Sequence, residues 1–291
     1  MISIILTAYK EPDTIGKAIE QILKNKLKNY ELLVTAPDDE TLNAAKKYSS
    51  KIKKLRLIRD EGKGKPNALN NVLPQAKGDI IVLTDGDIYI RENSINELLK
   101  HFSDSKVGAV SGHPVSKDSR KTLMGYWGTV LLDIAHKIRK QKDQENQFLF
   151  CTGYLFAMKK GLVEKMPLEI LDDSYISQEI WRKGYKIKYE EKAVVFIKNP
   201  ETFKDWIKQK KRNTFGEFQL KKYKVKSMRG FKDEARGGIF KVFTYPKTMK
   251  EISWTVLLVF ARLYAWINAT YNYKIKKASM QKVWVRIETT K

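Results

Sequence analysis

The chain has 291 residues, 42% of them hydrophobic, which supports one large α/β domain with a substantial core, or a core domain plus an appendage, over two equal domains. The lone Cys151 excludes an intramolecular disulfide, and none of His101, His113 and His136 has a partner at metal-ligand spacing, so zinc and cysteine-nucleophile chemistry are set aside. Lys and Arg number 56 against 33 Asp and Glu, a formal charge of +23 that suits nucleic acid, an anionic membrane or phosphorylated substrates without choosing among them.

The N-terminus opens on the strand-like Ile2-Ser3-Ile4-Ile5-Leu6 with no basic stretch before it, so no cleavable signal peptide is expected and a cytosolic face follows. The loop Thr7-Ala8-Tyr9-Lys10-Glu11-Pro12 at the strand end offers a place where a nucleotide base could stack. Asp13 is expected to cap a helix with Ile15, Ile19, Ile22 and Leu23 on one face. A second strand, Glu31 to Thr35, leads through Ala36-Pro37-Asp38-Asp39 into a helix containing Leu42 and Ala45, and a third strand covers Leu55 to Ile58. The order βαβαβ implies a parallel, doubly wound sheet with right-handed crossovers. A glycine-rich basic loop, Asp60-Glu61-Gly62-Lys63-Gly64-Lys65-Pro66-Asn67, then opens the next helix. Its glycine spacing is not that of a P-loop, but Lys65 can reach a diphosphate as a point charge.

Gly78 to Asp87 is the stretch around which the rest is organised. Ile80 to Thr84 are apolar or β-branched without a break, which predicts a short strand buried on both faces. Asp85 and Asp87 fall just past its carboxyl end, where ligands of open α/β sheets bind, and the two carboxylates can share a hard divalent cation. Gly86 between them is expected to let the backbone turn tightly.

Three stretches, Leu6-Thr7-Ala8-Tyr9-Lys10-Glu11, Gly64-Lys65-Pro66-Asn67-Ala68-Leu69-Asn70 and Asp85-Gly86-Asp87, in this order relative to the strands, resemble the nucleotide-sugar half of family 2 glycosyltransferases. The resemblance implies the GT-A fold, a Rossmann-like, mostly parallel sheet flanked by helices, over residues 1–225. It also implies a nucleotide diphosphate sugar as donor, UDP- or GDP-linked, with Mg²⁺ or Mn²⁺ on the diphosphate. Asp87 would then be the metal ligand and Asp85 a ribose or metal contact, with Thr7, Ala8, Tyr9, Glu11, Lys65 and Asn67 around the donor. Relatives carry Asp-Asp-Gly or Asp-Asp-Ser after the second strand, with the first aspartate on the base. With Ala36-Pro37-Asp38-Asp39 here, that contact moves to Asp38 or is lost.

In the second half, Ser94-x-x-Glu97 reads as a capping box before Leu98, Leu99 and Phe102, and Val107 to Ser111 as a strand. Leu123, Trp127, Val130, Leu131, Ile134 and Ile138 form an apolar face at helical spacing, read as a core-packing helix with a lipid-facing helix as the alternative. Phe148 to Met158 reads as a buried strand. Leu171-Asp172-Asp173-Ser174 opens a helix in which Asp173 is suited to cap the N-terminus. With Gly184-Tyr185-Lys186 and Ala193-Val194-Val195-Phe196 behind it, Asp172-Asp173 resembles the family's Glu-Asp motif, whose aspartate is the catalytic base. Asp173 takes that role, and Asp172 is a shorter carboxylate where Glu is usual. Gln209-Lys210-Lys211-Arg212-Asn213 resembles the Gln-x-x-Arg-Trp motif of hyaluronan- and cellulose-synthase-like members. Gln209 and Arg212 would share a helix face toward the diphosphate or acceptor, and Asn213 in place of Trp argues against processive polymer synthesis.

Residues 225–250 mix Arg229, Lys232, Arg236 and Lys241 with Phe231, Phe240, Phe243 and Tyr245, a composition expected of a mobile loop or surface segment. Ile252 to Ala269 is almost uniformly apolar, but Arg262 interrupts it and lysines flank both ends. An interfacial or packed helix is therefore expected over a spanning one. Residues 226–291 are accordingly read as a helical, membrane-associated extension, with the protein peripheral or monotopic at the cytoplasmic face of an anionic membrane.

The activity expected is inverting transfer from the nucleotide sugar to an acceptor hydroxyl on a glycan or lipid-linked glycan, with Asp173 as base. A lipid phosphate is already ionised and would need no base. Two rivals stay open. A sugar-1-phosphate nucleotidyltransferase would place a phosphate loop where Ala8-Tyr9-Lys10-Glu11 stands. A nucleic-acid-binding protein would explain +23 but not the acidic pairs at strand ends, and no nucleic-acid partner is expected.

Overall fold

Uninterrupted aliphatic runs can be satisfied only where both faces of a sheet are covered. In the computed structural model, which describes residues 1–223, 239–277 and 287–290, these runs become β1 (Ile2–Thr7), β2 (Tyr30–Ala36), β3 (Leu55–Arg59) and β4 (Ile80–Asp85). Helices α1 (Ile15–Leu23), α2 (Asp39–Lys46) and α3 (Lys65–Val72) connect them. Beyond β4 come β5 (Tyr89–Ile90), α4 (Ser94–Lys100), β6 (Val107–Ser116), α5 (Leu123–Gln144), β7 (Leu155–Lys159), α6 (Asp172–Arg182), β8 (Lys186–Ile197) and α7 (Phe203–Lys222). The short α8 (Ile239–Val242) and the long α9 (Met249–Thr270) follow, α9 running on through a π-turn at Tyr271–Ile275.

The strands form one eight-stranded sheet of order β3-β2-β1-β4-β7-β6-β8-β5. The parallel half matches the expected GT-A arrangement: β1 pairs in parallel with β2 and β4, and β2 with β3. In the other half β7 runs antiparallel to both β4 and β6, and β5 antiparallel to β8, so fewer strands are parallel than expected. The sheet is therefore mixed. Ile4, Ile5, Leu6, Leu32, Leu33, Val34 and Val82 are fully buried at its centre. The chain winds from β1 outward to β3, then returns to lay β4 on the other side of β1. The topological switch point, where open α/β sheets bind ligands, thus lies between β1 and β4.

Several local expectations were overridden by tertiary partners. Asp13 does not cap α1; the N-cap is Thr14 without a side-chain bond, and the backbone N–H groups of Thr14 and Ile15 donate to the Glu11 carbonyl. The Ser94 capping box does not form. Asn93, at φ 66°, is the N-cap, Ser94 turns inward to donate to the Val194 carbonyl at 3.0 Å, and the Ile95 N–H is met by Asn25 Oδ1 at 2.9 Å. Asp173 is not an N-cap either, because α6 begins one residue earlier and Leu171 precedes it. Of the strand expected over Phe148 to Met158, only Leu155 onward is strand. Phe148, Leu149, Phe150 and Cys151 are buried as loop.

Backbone packing divides the chain into two units, Met1–Pro114 with Arg139–Ile197 and Val115–Ile138 with Lys198–Lys291. This division follows packing, whereas the boundary at 225 followed composition. In the second unit the apolar face of α5 packs as a core helix: Tyr126, Trp127, Val130 and Ile134 join Trp206 of α7 and Leu258 and Ala261 of α9. Tyr126 Oη meets Thr255 Oγ1 at 2.6 Å, Trp127 Nε1 donates to the Trp254 carbonyl at 2.7 Å, and Arg120 Nε donates to Glu251 at 2.8 Å. The expected surface segment over 225–250 lies largely outside the described residues.

Candidate active site

The parallel register sets three side chains in a row across the carboxyl ends of the central strands, Thr35 beside Thr7 beside Asp85. Thr7 Oγ1 donates to Asp85 Oδ1 at 2.8 Å, and Thr35 Oγ1 donates to Asp60 Oδ2 at 2.9 Å. Asp60 Oδ1 accepts the Gly62 N–H at 2.7 Å and so shapes the glycine-rich loop. In that loop Gly62 and Gly64 have φ of 65° and 99°, conformations that L side chains rarely adopt. Gly64 is the N-cap of α3, so Lys65 stands at the first position of the helix.

Lys65 is the hub of the site. Its Nζ lies 2.7 Å from Asp85 Oδ1 and 3.5 Å from Asp172 Oδ2, and donates to the Gly153 carbonyl at 3.1 Å. The antiparallel pairing of β7 explains how Gly153 arrives there: Leu155 pairs with Thr84, so the residues just before Leu155 lie beside the end of β4. Thr84 Oγ1 fastens this loop by donating to the Tyr154 carbonyl at 3.0 Å. Burial pulls the Lys65 ammonium pKa down, but Asp172 and Asp85, and then Asp173, overcome it and hold it above the ordinary lysine value. Stripping one partner from a buried ion pair costs about 3–5 kcal/mol, so Lys65 is what makes the gathering of carboxylates tolerable.

Asp172 and Asp173 occupy the first turn of α6, where the helix dipole favours negative charge. Asp173 Oδ1 accepts the Ser174 N–H at 2.7 Å, and a side chain at Gly153 would place its Cβ 3.4 Å from Asp173 Oδ2. Asp172 Oδ2 is buried without a hydrogen bond, its ion pair with Lys65 aside. Burial pushes the Asp172 carboxyl up to about 6, against the pull of Lys65 and with the help of Asp173 and Asp85. A carboxyl raised above its unfolded value favours the fold fully below that value, and the contribution is lost as pH rises through about 6. Asp172→Asn should therefore raise the thermal midpoint of the metal-free protein more above about pH 7 than below about pH 4. An equal change at both ends would show that Asp172 ionises as an ordinary surface carboxyl.

The first unit brings together most of the residues expected from sequence. Asp85 and Thr7 are in contact, Lys65 joins them, Asp172 and Asp173 complete the cluster, and Asp87 follows one residue beyond Gly86, half-buried. Ala8 is buried against Gly86, and Glu11 is buried with its N–H on Thr41 Oγ1 at 2.8 Å. Tyr9 lies beside Gly62 and Asn67 in the first turn of α3. Asp38 is the N-cap of α2: Oδ1 accepts from Thr41 N at 2.9 Å and Oδ2 from Lys10 N at 3.0 Å, tying the loops after β1 and β2 together. Burial raises the Asp38 pKa, but the bonds from Thr41 and Lys10 outweigh it and hold the carboxyl below its usual range. Gln209 and Arg212 lie on α7 and belong to the second unit.

The reason for Gly86 is space and not a turn. Its φ is not positive, but a Cβ there would come within 2.6 Å of Glu11 Oε2 and 2.9 Å of Ala8 Cβ. Sequence reasoning missed the roles of Asp60 and Gly153. Asp60 carried a signal, a carboxylate just past β3 like Asp38 past β2 and Asp85, which closes β4 as its last residue and not, as expected, just beyond it; a backbone carbonyl such as that of Gly153 carries none.

The donor set suits a hard divalent ion. Asp85 and Asp87 offer carboxylate oxygens at the switch point, and a diphosphate would supply further oxygens of the same kind. Among the described residues no group of three or more His, Cys, Asp and Glu side chains is gathered as a metal cage.

The sequence model described as "Glycosyltransferase like family 2" matches residues 1–216. The chain belongs to glycosyltransferase family 2. It is similar to the poly-beta-1,6-N-acetyl-D-glucosamine synthase of Staphylococcus aureus (strain MSSA476), 26% identical over 219 residues, which cover 72% of this chain and 53% of the relative. It is also similar to the probable glycosyltransferase YdaM of Bacillus subtilis (strain 168), 24% identical over 229 residues, 72% of this chain and 54% of the relative. The chain thus spans about half the length of the curated relatives it matches. Among solved structures, the mannosyltransferase PcManGT from Pyrobaculum calidifontis, in complex with GDP-Man and Mn²⁺, superposes with a TM-score of 0.69 at 18% identity, covering 95% of this chain and 88% of that one. S. aureus TarS 1-349 in complex with UDP-GlcNAc gives 0.53 at 15% identity, covering 94% and 91%. These likenesses show the GT-A fold. Family membership decides for a glycosyltransferase over the two rival readings.

Proposed function

We propose that this glycosyltransferase moves a hexosyl group, with inversion, from a UDP- or GDP-linked sugar to a hydroxyl of a glycan or lipid-linked glycan. The observation that carries the reading is the cluster at the β1–β4 switch point, in which one lysine is shared by Asp85 on one side and the Asp172–Asp173 pair on the other. A lysine aimed into such a crevice can meet an anionic leaving group, and a carboxylate across from it can take a proton. Both are needed at once in a single displacement.

Thr7, Ala8, Tyr9 and Glu11 of the loop after β1, with Asp38 and Asn67, would hold the nucleoside. Lys65 would place its charge against the diphosphate, in a buried setting where preorganised charge counts most. Asp87, with Asp85, would hold Mg²⁺ or Mn²⁺, which when bound draws charge from the diphosphate. That PcManGT was solved in complex with both GDP-Man and Mn²⁺ supports a divalent ion in the reaction. Asp173 would accept the proton of the acceptor hydroxyl as its oxygen bonds to the anomeric carbon. The bond from that carbon to the diphosphate breaks on the opposite face, and its electron pair leaves with the nucleoside diphosphate. Asp172 would keep Lys65 in place. Gln209 and Arg212 are assigned to the diphosphate or acceptor by the resemblance of their motif alone. The catalytic domain is taken as 1–225 and the extension as 226–291, with the protein peripheral or monotopic at the cytoplasmic face of an anionic membrane.

Incubation with a panel of UDP- and GDP-sugars and Mn²⁺ or Mg²⁺ tests the reading. Release of nucleoside diphosphate and a product of inverted anomeric configuration are expected. Release of pyrophosphate, or a product of retained configuration, would overturn it.

A further inference from the structure

Lys204, Lys208 and Lys211 recur on α7 at a spacing of four and three residues, which puts them on one face of the helix. In the second unit that face meets Tyr264 and Asn268 of α9, and together with Ile207 they line a cleft of about 320 Å³. Lys208 is paired with Asp205 at 2.9 Å, but among the described residues Lys204 and Lys211 have no carboxylate partner. Burial, and after it the nearby Lys276, push the Lys211 ammonium below its ordinary pKa.

Beside the cleft, α9 leaves a continuous apolar stripe in the open. Val256, Phe260, Leu263, Ile267 and Tyr271 follow at intervals of three or four residues, and Phe260 and Ile267 are 64% and 61% exposed. The opposite face is committed: Glu251, Thr255, Leu258, Ala261 and Ala265 are buried in the unit, with Glu251 and Thr255 hydrogen-bonded to Arg120 and Tyr126 of the segment around α5. A helix so held has one side to offer, which suits lying in an interface and not crossing a bilayer, although α9 and its π-turn are the one described helix long and apolar enough to cross. Lys247 and Lys250 stand before the stripe and Lys274, Lys276 and Lys277 after it. A second copy of the chain would bring the same lysines against these, and a nucleic acid would have no use for the stripe.

We propose that the α7–α9 cleft takes the headgroup phosphate of an anionic phospholipid while the stripe from Val256 to Tyr271 lies among the acyl chains of the same leaflet. The proposal rests on the membrane reading given above and adds to it the site, the headgroup chemistry and the in-plane orientation of α9.

Flotation of the full chain with phosphatidylcholine vesicles, with and without phosphatidylglycerol, tests it. The wild-type chain should float with the phosphatidylglycerol vesicles, and Lys204→Gln/Lys211→Gln should weaken that binding by about 10- to 30-fold, near a factor of five for each charge. Phe260→Ser/Ile267→Ser should remove the part of the binding that survives high salt. All four side chains lie on the surface or line the cleft, so thermal midpoints and donor hydrolysis should stay at wild-type levels. Equal flotation of the lysine variant would overturn the cleft and leave the membrane reading standing; a wild-type chain that floats with neither vesicle would overturn both. If the lysine substitutions weaken binding of single-stranded DNA but not of vesicles, the cleft is a nucleic-acid contact and the proposal falls. None of these outcomes bears on glycosyl transfer, which the donor panel tests separately.

Discussion

Asp173→Asn should leave donor affinity unchanged and cut the transfer rate by about 10²–10⁴-fold, the usual contribution of a general base. The amide keeps the shape of the side chain, and its Oδ1 can still accept the Ser174 N–H, which Asp173 binds at 2.7 Å. The first turn of α6 therefore stays intact, and Lys65 keeps its closer partner, Asp85. Proton acceptance is removed, together with the most weakly acting of the three carboxylate charges around Lys65. Steady-state kinetics should show a fall in kcat with the donor KM unchanged. Near-wild-type turnover would reduce Asp173 to a structural residue of the helix start and move the search for the base to Asp172.

The second large effect is expected at Asp87. Asp87→Ala should weaken Mn²⁺-dependent binding of the nucleoside diphosphate by about 10²–10³-fold, the scale on which one preorganised electrostatic contact acts. The side chain is half-buried past the end of β4 and contributes nothing to the apolar centre of the sheet, so the thermal midpoint without metal should change little. Titration calorimetry with and without Mn²⁺ separates the two terms. Affinity that is unchanged in the presence of Mn²⁺ would remove Asp87 from the metal site. The two substitutions divide the proposed labour: one should lose chemistry and keep binding, and the other should lose metal-linked binding.

Much of the site could be read from local signals, because strand ends of an open parallel sheet converge and carboxylates or lysines placed there have few other uses. Asp85, Asp87, Lys65 and Asp173 were nominated in this way or through motif resemblance. Their mutual geometry was not legible. That Lys65 bridges Asp85 and Asp172 depends on α3 and α6, whose starts lie more than a hundred residues apart, and on an antiparallel β7 that delivers the Gly153 carbonyl.

By itself the sequence determined the βαβαβ half of the fold, since runs such as Ile2–Thr7 and Ile80–Asp85 have no polar face and must be covered on both sides. It also determined that α5 has one apolar face, from the helical spacing of Trp127, Val130 and Ile134, but left core and lipid both open to it; packing against Trp206 and Leu258 made it a core helix. Tertiary structure alone decided the direction of β7, the loop state of Phe148 to Cys151, and the caps of α1 and α4. Apolar residues are content in any buried conformation, so hydrophobicity over 148–154 could not tell strand from packed loop. A capping signal weighs about 1 kcal/mol, and a distant group such as Asn25 or the Val194 carbonyl outbids it once packing brings that group near. Gly86 shows the same limit from the other side: it is glycine because the Glu11 carboxylate and Ala8 occupy the space a side chain would need, and only the folded chain puts them there.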